Sequence, residues 1–383
     1  MRVVKIHSDI SEIPQTQWND LVVDNNPFIR HEFLQALEDH HCVGTEFGWL
    51  PRHIAIYEET EQSGASKLVA AMPLYEKYNS YGEFVFDNAW ADAWERAGLP
   101  YFPKLVSSVP YTPAQGQRLL THPESFEELA PMLLQVAMEI AKQNKMSGCH
   151  ILFSASTEQE WLERQGLFVR HDCQFHWRNR DYQTFDDFLA TLTAKKRKNI
   201  RQERKRVQQS EIKLRVLDGH AATDNDWDDM AKFYQSTFTE KWGTATLNAG
   251  FFKQVAKALP DQIVLVLADK DDQCIAGSLM YRSNTTLYGR YWGCNEEIDK
   301  LHFEACYYQG IEYCIEHGLE LFEPGAQGEH KIARGFLPTL TKSSHWLTEN
   351  PYQQSIKKYT EHEQQAIAEY IQDCHRHSPY KEP

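Results

Sequence analysis

Between Gly325 and Gly335 the sequence runs GAQGEHKIARG, which crowds Gln327, Glu329, His330, Lys331 and Arg334 into one glycine-punctuated loop. Glu323 stands just before it, at the end of the apolar run LELFE. An acid, an imidazole and two cations on the rim of a sheet suit a polar and preferably anionic substrate. They also supply what amide-forming acyl transfer requires. Carbonyl and amine must be held in line, a proton removed, and a tetrahedral oxyanion stabilised. Glu329 or His330 is the expected base: an imidazole titrates in the useful range unperturbed, whereas a carboxylate needs partial burial. Lys331 completes the catalytic group, and Arg334 is suited to grip a carboxylate or phosphate with two parallel bonds. Such a reaction needs no covalent enzyme intermediate, so the lack of a Ser or Cys nucleophile motif does not count against it.

These residues need elements to hold them. The run LYGRYWG, 287–293, reads as a strand that projects Arg290 and Trp292 on one face and Tyr291 on the other. Asn295 and His302 follow at the end of that strand and the start of the next helix, and Lys241 and Trp242, after the preceding helix, are placed to close the pocket. In the first half, FDNAWADAWERAG offers Asp87, Trp90, Asp92 and Trp94 either as a second polar pocket or as a surface turn and helix.

The run KKRKNIRQERKR, 195–206, holds eight cations and one acid. Ile200 and Val207 can anchor one helical stripe, leaving Arg197, Arg201, Arg204 and Lys205 towards solvent or a phosphate-bearing donor. A solvated surface helix would carry more acids at i,i+4 spacing. No aromatics interleave the cations, so base-specific nucleic-acid reading is not expected.

At 383 residues the chain has room for two domains with real cores, and its net charge of −14 argues against general affinity for nucleic acid or membrane. The eight cysteines form no C-x-x-C pair, which reads as reduced thiols. No His/Cys set has metal-ligand spacing, so no metal is expected. The opening residues MRVVKIHSDI lack an apolar h-region, and no apolar run reaches the ~18 residues of a membrane span. A cytoplasmic protein without membrane insertion is the expectation; oligomeric state is not legible.

The chain then states one plan twice. Each half reads strand–turn–strand–turn–strand–helix–strand, and LVAAMPLYEKYNSYGEFVF lies over CIAGSLMYRSNTTLYGRYW. Each half also has a leading strand and helix. The expected fold class is α+β, with tandem duplicated domains, each a mixed, largely antiparallel sheet flanked by helices. The first repeat is placed at 1–178 and the second at 179–348, with the basic helix at its start and Thr184 and Asp187 as an N-terminal box. Residues 349–383 are expected as a C-terminal helix packed on the second repeat.

This element order resembles the GNAT acyltransferase fold, and the tandem pair with a basic helix at the junction resembles the FemAB group. The passage from LYGRYWGC through GAQGEHKIARGF carries most of the likeness. Blocks such as PFIRHEFLQALE and KKRKNIRQERK are similar to an uncharacterised bacterial FemAB-like family linked to peptidoglycan biosynthesis or recognition. The resemblance implies a transferase that moves an acyl or aminoacyl group to a small-molecule or peptide amine, with acyl-CoA or aminoacyl-tRNA as donor and tRNA as a candidate partner. The alternative is a non-catalytic module that recognises a cell-wall or other anionic ligand. Two departures stand out. Where acetyl-CoA-using relatives carry a glycine-rich pyrophosphate loop, this chain has GCNEEIDKLH, and only a looser version with Gly116 and Arg118 precedes the first-half helix. The FemAB signature F-K-x-x-F-G also aligns so that Arg334 stands for a cation while Lys331 falls out of register.

Overall fold

The structure, a computed structural model, describes residues 1–59, 66–239, 243–326 and 328–381. Gln327, Lys241 and Trp242 lie outside the described residues. The chain forms two compact units, one of residues 1–172 with 340–368 and the other of 173–339 with 369–383. The C-terminal stretch thus departs from the expected division. Residues up to Ala368 cluster with the first unit, and only the last fifteen with the second. The helix Gln353–Arg376 contributes to both, because its apolar positions face two cores: Ile356 joins Trp90 and Trp94, while Cys374 joins Phe188 and Phe336.

In the first unit, strands Arg2–His7, His53–Glu59, Ser66–Met72 and Leu120–Thr121 make an antiparallel sheet in that order. A second ladder runs from Trp49–Pro51 through Tyr75–Lys77, Lys104–Ser107 and Gly148–Leu152 to residues 343–347. The run KLVAAMPLYEKY forms two strands in different sheets, broken at Pro73, which has no N–H to donate to a ladder. Where the repeated plan expects a third strand, EFVFDNAW is a turn that enters the helix Asn88–Arg96. The helix Phe126–Gln143 buries Leu129, Leu133 and Ala137 against Ile54, Ile56 and Ile151.

The second unit follows the sequence reading closely. Strands Lys213–Leu217, Ile263–Lys270, Gln273–Arg282 and Thr286–Cys294 pair antiparallel in chain order. Leu321–Glu323 then adds in parallel, and Trp177 and Arg178 pair antiparallel beyond it. The capping box at Thr184 and Asp187 forms as its sequence predicts, and the basic run is the helix Ala194–Gln209 with Ile200 and Val207 buried.

Two irregularities aim side chains at one place. Leu279 opposes Tyr291 but Met280 opposes Gly289, so Arg290 is the extra residue of a β-bulge. Beyond the bulge Tyr291 packs on Tyr234 and Phe252 while Trp292 packs on His302, so these two neighbours face different elements as the alternation expects. The helix over 301–316 contains a π turn at Glu304–Tyr308, a local widening often found at functional sites. That helix lies against the sheet because Gly310 has no side chain. A Cβ there would stand 2.4 Å from the Phe322 ring. Gly310→Ala is expected to destabilise the chain by about 1–3 kcal/mol through overpacking, read as a lower denaturant midpoint with an unchanged slope.

Candidate active site

The loop after Leu321–Glu323 closes as a short 3-10 helix, Glu329–Arg334. Three charged contacts set its shape. Lys331 is 3% exposed, and its Nζ donates to the carbonyls of Gly325 and Ala326, both at 2.8 Å. Arg334 donates through Nη1 to the His330 carbonyl at 2.7 Å and through Nη2 to Glu203 Oε1, also at 2.7 Å. Its guanidinium lies flat on Phe303, 3.4 Å from the ring centre. Glu203, the lone acid of the basic run, also accepts from the Tyr308 hydroxyl. At the far end of the turn the Gly335 carbonyl accepts from Tyr380 Oη at 2.7 Å.

This frame presents His330. Its Nε2 lies 2.9 Å from Tyr307 Oη. Gly328, at φ +122°, makes room for the ring, because a Cβ there would be 2.5 Å from its Cε1. His302 packs edge-on against both Trp292 and Tyr307, at 5.3 Å between ring centres in each case. Burial lowers the pKa of His330, and the charges of Lys331 and Arg334 add to that. The same causes, burial foremost, bring His302 down to about 4. Burial alone accounts for most of the drop at Lys331, to about 7. The outcome is a neutral imidazole at the protein surface beside a buried, readily deprotonated amine.

The family model for FemAB-like proteins, described as peptidoglycan biosynthesis/recognition, matches residues 9–382. The chain belongs to the FemAB-like family. No curated protein matches it in sequence at a significant level. Among solved structures, FemX is similar over 93% of this chain and 100% of its own, with TM-score 0.54 and 13% identity. The C-terminal domain of a putative lysylphosphatidylglycerol synthetase from Agrobacterium fabrum is similar over 92% and 97%, with TM-score 0.52 and 8% identity. A tandem GNAT protein from the clavulanic acid biosynthesis pathway covers 91% and 99%, with TM-score 0.46 and 10% identity. The fold is the mixed α+β tandem of this group.

Within this FemAB-like chain the remaining expected residues separate. The Arg204 guanidinium is held by Glu304 and Glu312 together, at 2.7–3.1 Å, and lies over Phe185. Arg334 spends Nη1 on the His330 carbonyl and Nη2 on Glu203, while its Nε is buried without a hydrogen-bond partner among the described residues, so the two arms expected to grip a substrate are engaged inside the protein. Glu329 is exposed and accepts from Tyr370 Oη at 2.9 Å, without the burial that a carboxylate base requires. Asn295 is exposed at the strand end, its N–H bonded to Ile275, and Glu323 is buried opposite Tyr288. Arg201 and Lys205 are exposed on the basic helix, and Arg197 is half-buried. Arg201 pairs with exposed Asp186, and together with Arg204, Lys205, Phe185 and Leu189 it lines a groove of about 580 Å³.

Asp87, in the first unit, is buried and salt-bridged to Lys104, with a 2.5 Å bond from Tyr101 Oη, while Trp90 and Trp94 are core residues. It anchors a buried network rather than an open pocket. Among the described residues no group of three or more His, Cys, Asp or Glu could hold a metal ion, and no helix is long and apolar enough to cross a membrane. The residues missed in sequence were Glu203, Phe303, Tyr307 and Tyr308. Glu203 alone carried a signal, as the one acid among eight cations.

Removing one partner of a buried pair strands the other. Glu203→Ala should therefore cost about 3–5 kcal/mol. Breaking the exposed Arg201–Asp186 pair by Arg201→Ala should cost no more than about 1 kcal/mol. Chemical denaturation of the two variants checks the contrast.

Proposed function

We propose that this protein is an amide-forming transferase whose reaction centre is His330 in the second unit. The observation that carries the reading is a neutral imidazole held at the surface by a framework of buried charges, with its second nitrogen engaged by Tyr307. When Nε2–H donates to the Tyr307 oxygen, Nδ1 is left as a free acceptor. An acceptor amine attacks the donor carbonyl carbon, and Nδ1 takes the proton from the attacking nitrogen. The leaving group, a thiolate or a ribose oxygen, departs with that proton as the tetrahedral intermediate collapses to the amide. Lys331 and Arg334, assigned above to catalysis and substrate binding, act in this reading as positioning residues. One fixes the entry of the loop and the other the main chain at His330.

The donor site we assign to the outward face of the basic helix, with Arg201, Lys205 and Arg197 meeting its phosphates. Aminoacyl-tRNA suits this face better than acyl-CoA, since the cations are spread along a helix and the turn GCNEEIDKLH offers no glycine-rich pyrophosphate cradle. A small-molecule or peptide amine from a peptidoglycan precursor is the acceptor this family membership supports. A second reading is a non-catalytic recognition module for a cell-wall or other anionic ligand, and the engagement of Lys331 by the carbonyls of Gly325 and Ala326, away from a catalytic role, favours it.

Donor binding and turnover separate the two. Bulk aminoacyl-tRNA and acetyl-CoA are titrated at several salt concentrations, and transfer to amines is followed in the wild type and in His330→Gln. A transferase binds one donor. If that donor is tRNA, affinity falls steeply with salt and on neutralising Arg197, Arg201 and Lys205. His330→Gln then lowers turnover by about 10²–10⁴-fold with donor affinity kept. Binding of neither donor and no transfer would leave the recognition module.

A further inference from the structure

Within the second unit, the end of the C-terminal helix and the residues after it meet the His330 loop at both of its ends. Tyr370, on the helix Gln353–Arg376, donates its hydroxyl to Glu329 Oε1 at 2.9 Å, at the first residue of the 3-10 helix. Tyr380, beyond the C-terminal helix, donates to the carbonyl of Gly335, the residue that caps the 3-10 helix, at 2.7 Å. His330 lies between these two contacts. Gly335 is tied back to it through short links: its N–H donates to the Ile332 carbonyl at 3.0 Å, and its neighbour Arg334 donates to the His330 carbonyl.

Burial makes the two contacts unequal. Glu329 is exposed, so water replaces the Tyr370 hydroxyl at little cost. Gly335 is buried, and its carbonyl stands at a helix end, where no partner exists inside the helix. Only a glycine lets Tyr380 come this close. Residue 335 sits at φ +96°, and a Cβ there would stand 2.8 Å from the Phe188 ring and 3.2 Å from Tyr380 Oη. The main chain around Tyr380 is fixed without help from its hydroxyl. The Thr193 N–H donates to the Pro379 carbonyl at 2.9 Å, and the Lys381 N–H donates to the Thr191 carbonyl at 3.0 Å. The ring is held as well, packed against the core of Phe188 and Phe336 with the Arg180 guanidinium 4.7 Å from its centre. The hydroxyl is therefore a donor set in place beforehand, and the loop end is fastened to it.

We propose that Tyr380 is a positioning residue for His330, fixing the imidazole by holding the Gly335 carbonyl, with Tyr370 a weaker second hold at the other end of the loop. Its effect on turnover rests on the transferase reading; its effect on where the imidazole sits does not. Tyr380→Phe removes the hydroxyl and keeps the ring, so the strap stays in place while the loop end is released.

The test follows the His330 ring by nitrogen-15 NMR of the histidine-labelled full chain, together with kcat for transfer and Kd for bulk aminoacyl-tRNA. The wild type is compared with Tyr380→Phe, Tyr370→Phe and Leu133→Ala. Leu133 is buried in the core of the first unit, so its truncation destabilises the chain without touching the loop. In Tyr380→Phe water reaches the loosened ring, His330 titrates closer to the ordinary value of about 6.5, and its bond to Tyr307 is less populated. There kcat falls about fivefold, the worth of one neutral hydrogen bond, with Kd unchanged. Tyr370→Phe moves both readouts in the same direction by less, and Leu133→Ala moves neither. A shifted His330 with no transfer even in the wild type keeps the positioning and removes the transferase reading. Positioning by Tyr380 is overturned if His330 titrates in Tyr380→Phe as in the wild type, if kcat is unchanged in a protein that transfers, or if Leu133→Ala shifts His330 equally.

Discussion

The candidate site depends on one buried ion pair. Arg334 is taken out of water beneath the loop, and Glu203 is the carboxylate that makes this tolerable. Without a partner a buried guanidinium would force the turn open, since an unpaired charge in a dry interior costs far more than a turn can return. With it, Arg334 is free to donate its other arm to the His330 carbonyl and to lie on Phe303. The basic helix therefore has two faces with different jobs. Glu203 and Arg204 turn inward as structural ion-pair members, and Arg201 and Lys205 turn outward.

The same arrangement sets the electrostatics of the loop. Burial disfavours the charged form of the two imidazoles, and the positive charge of Arg334 and of protonated Lys331 beside them adds to that. Both histidines are consequently held below their ordinary range. Two separate structural devices, a π turn that brings Tyr307 round to His330 and a glycine at 328 that lets the ring approach, then fix where the neutral imidazole points. None of these groups is unusual alone. Together they convert a cluster of charges, which looks in sequence like a substrate-binding patch, into scaffolding for one histidine.

Much of this was legible in the sequence. Periodicity located every strand of the second unit from Lys213 to Glu323, the capping box at Thr184 and the buried stripe of the basic helix, because these follow from local patterns of period 2 and 3.6. The loop 325–335 announced itself by composition. What did not show was which way each charged side chain faces. Arg204 and Arg201 are one turn apart in the same helix, yet one is enclosed by Glu304 and Glu312, whose positions depend on a π turn no pattern reveals. In the first unit Pro73 split a run whose hydrophobic pattern continues unbroken across it. The assignment of 340–368 to the first unit is a long-range property of the C-terminal helix, whose two ends carry equally apolar faces.

The most direct test is the titration of His330 itself, followed by nitrogen-15 NMR of histidine-labelled protein from pH 4 to 8, with His330→Gln used to assign the signal. The account predicts a ring that is neutral at pH 7 and gains its proton only below the ordinary histidine value of about 6.5, with its protonated nitrogen directed at Tyr307. Glu203→Gln, which leaves the positive charge of Arg334 unbalanced, should push that titration lower still. A His330 that titrates at or above the ordinary value, or that ignores the loss of the Glu203 charge, would contradict it.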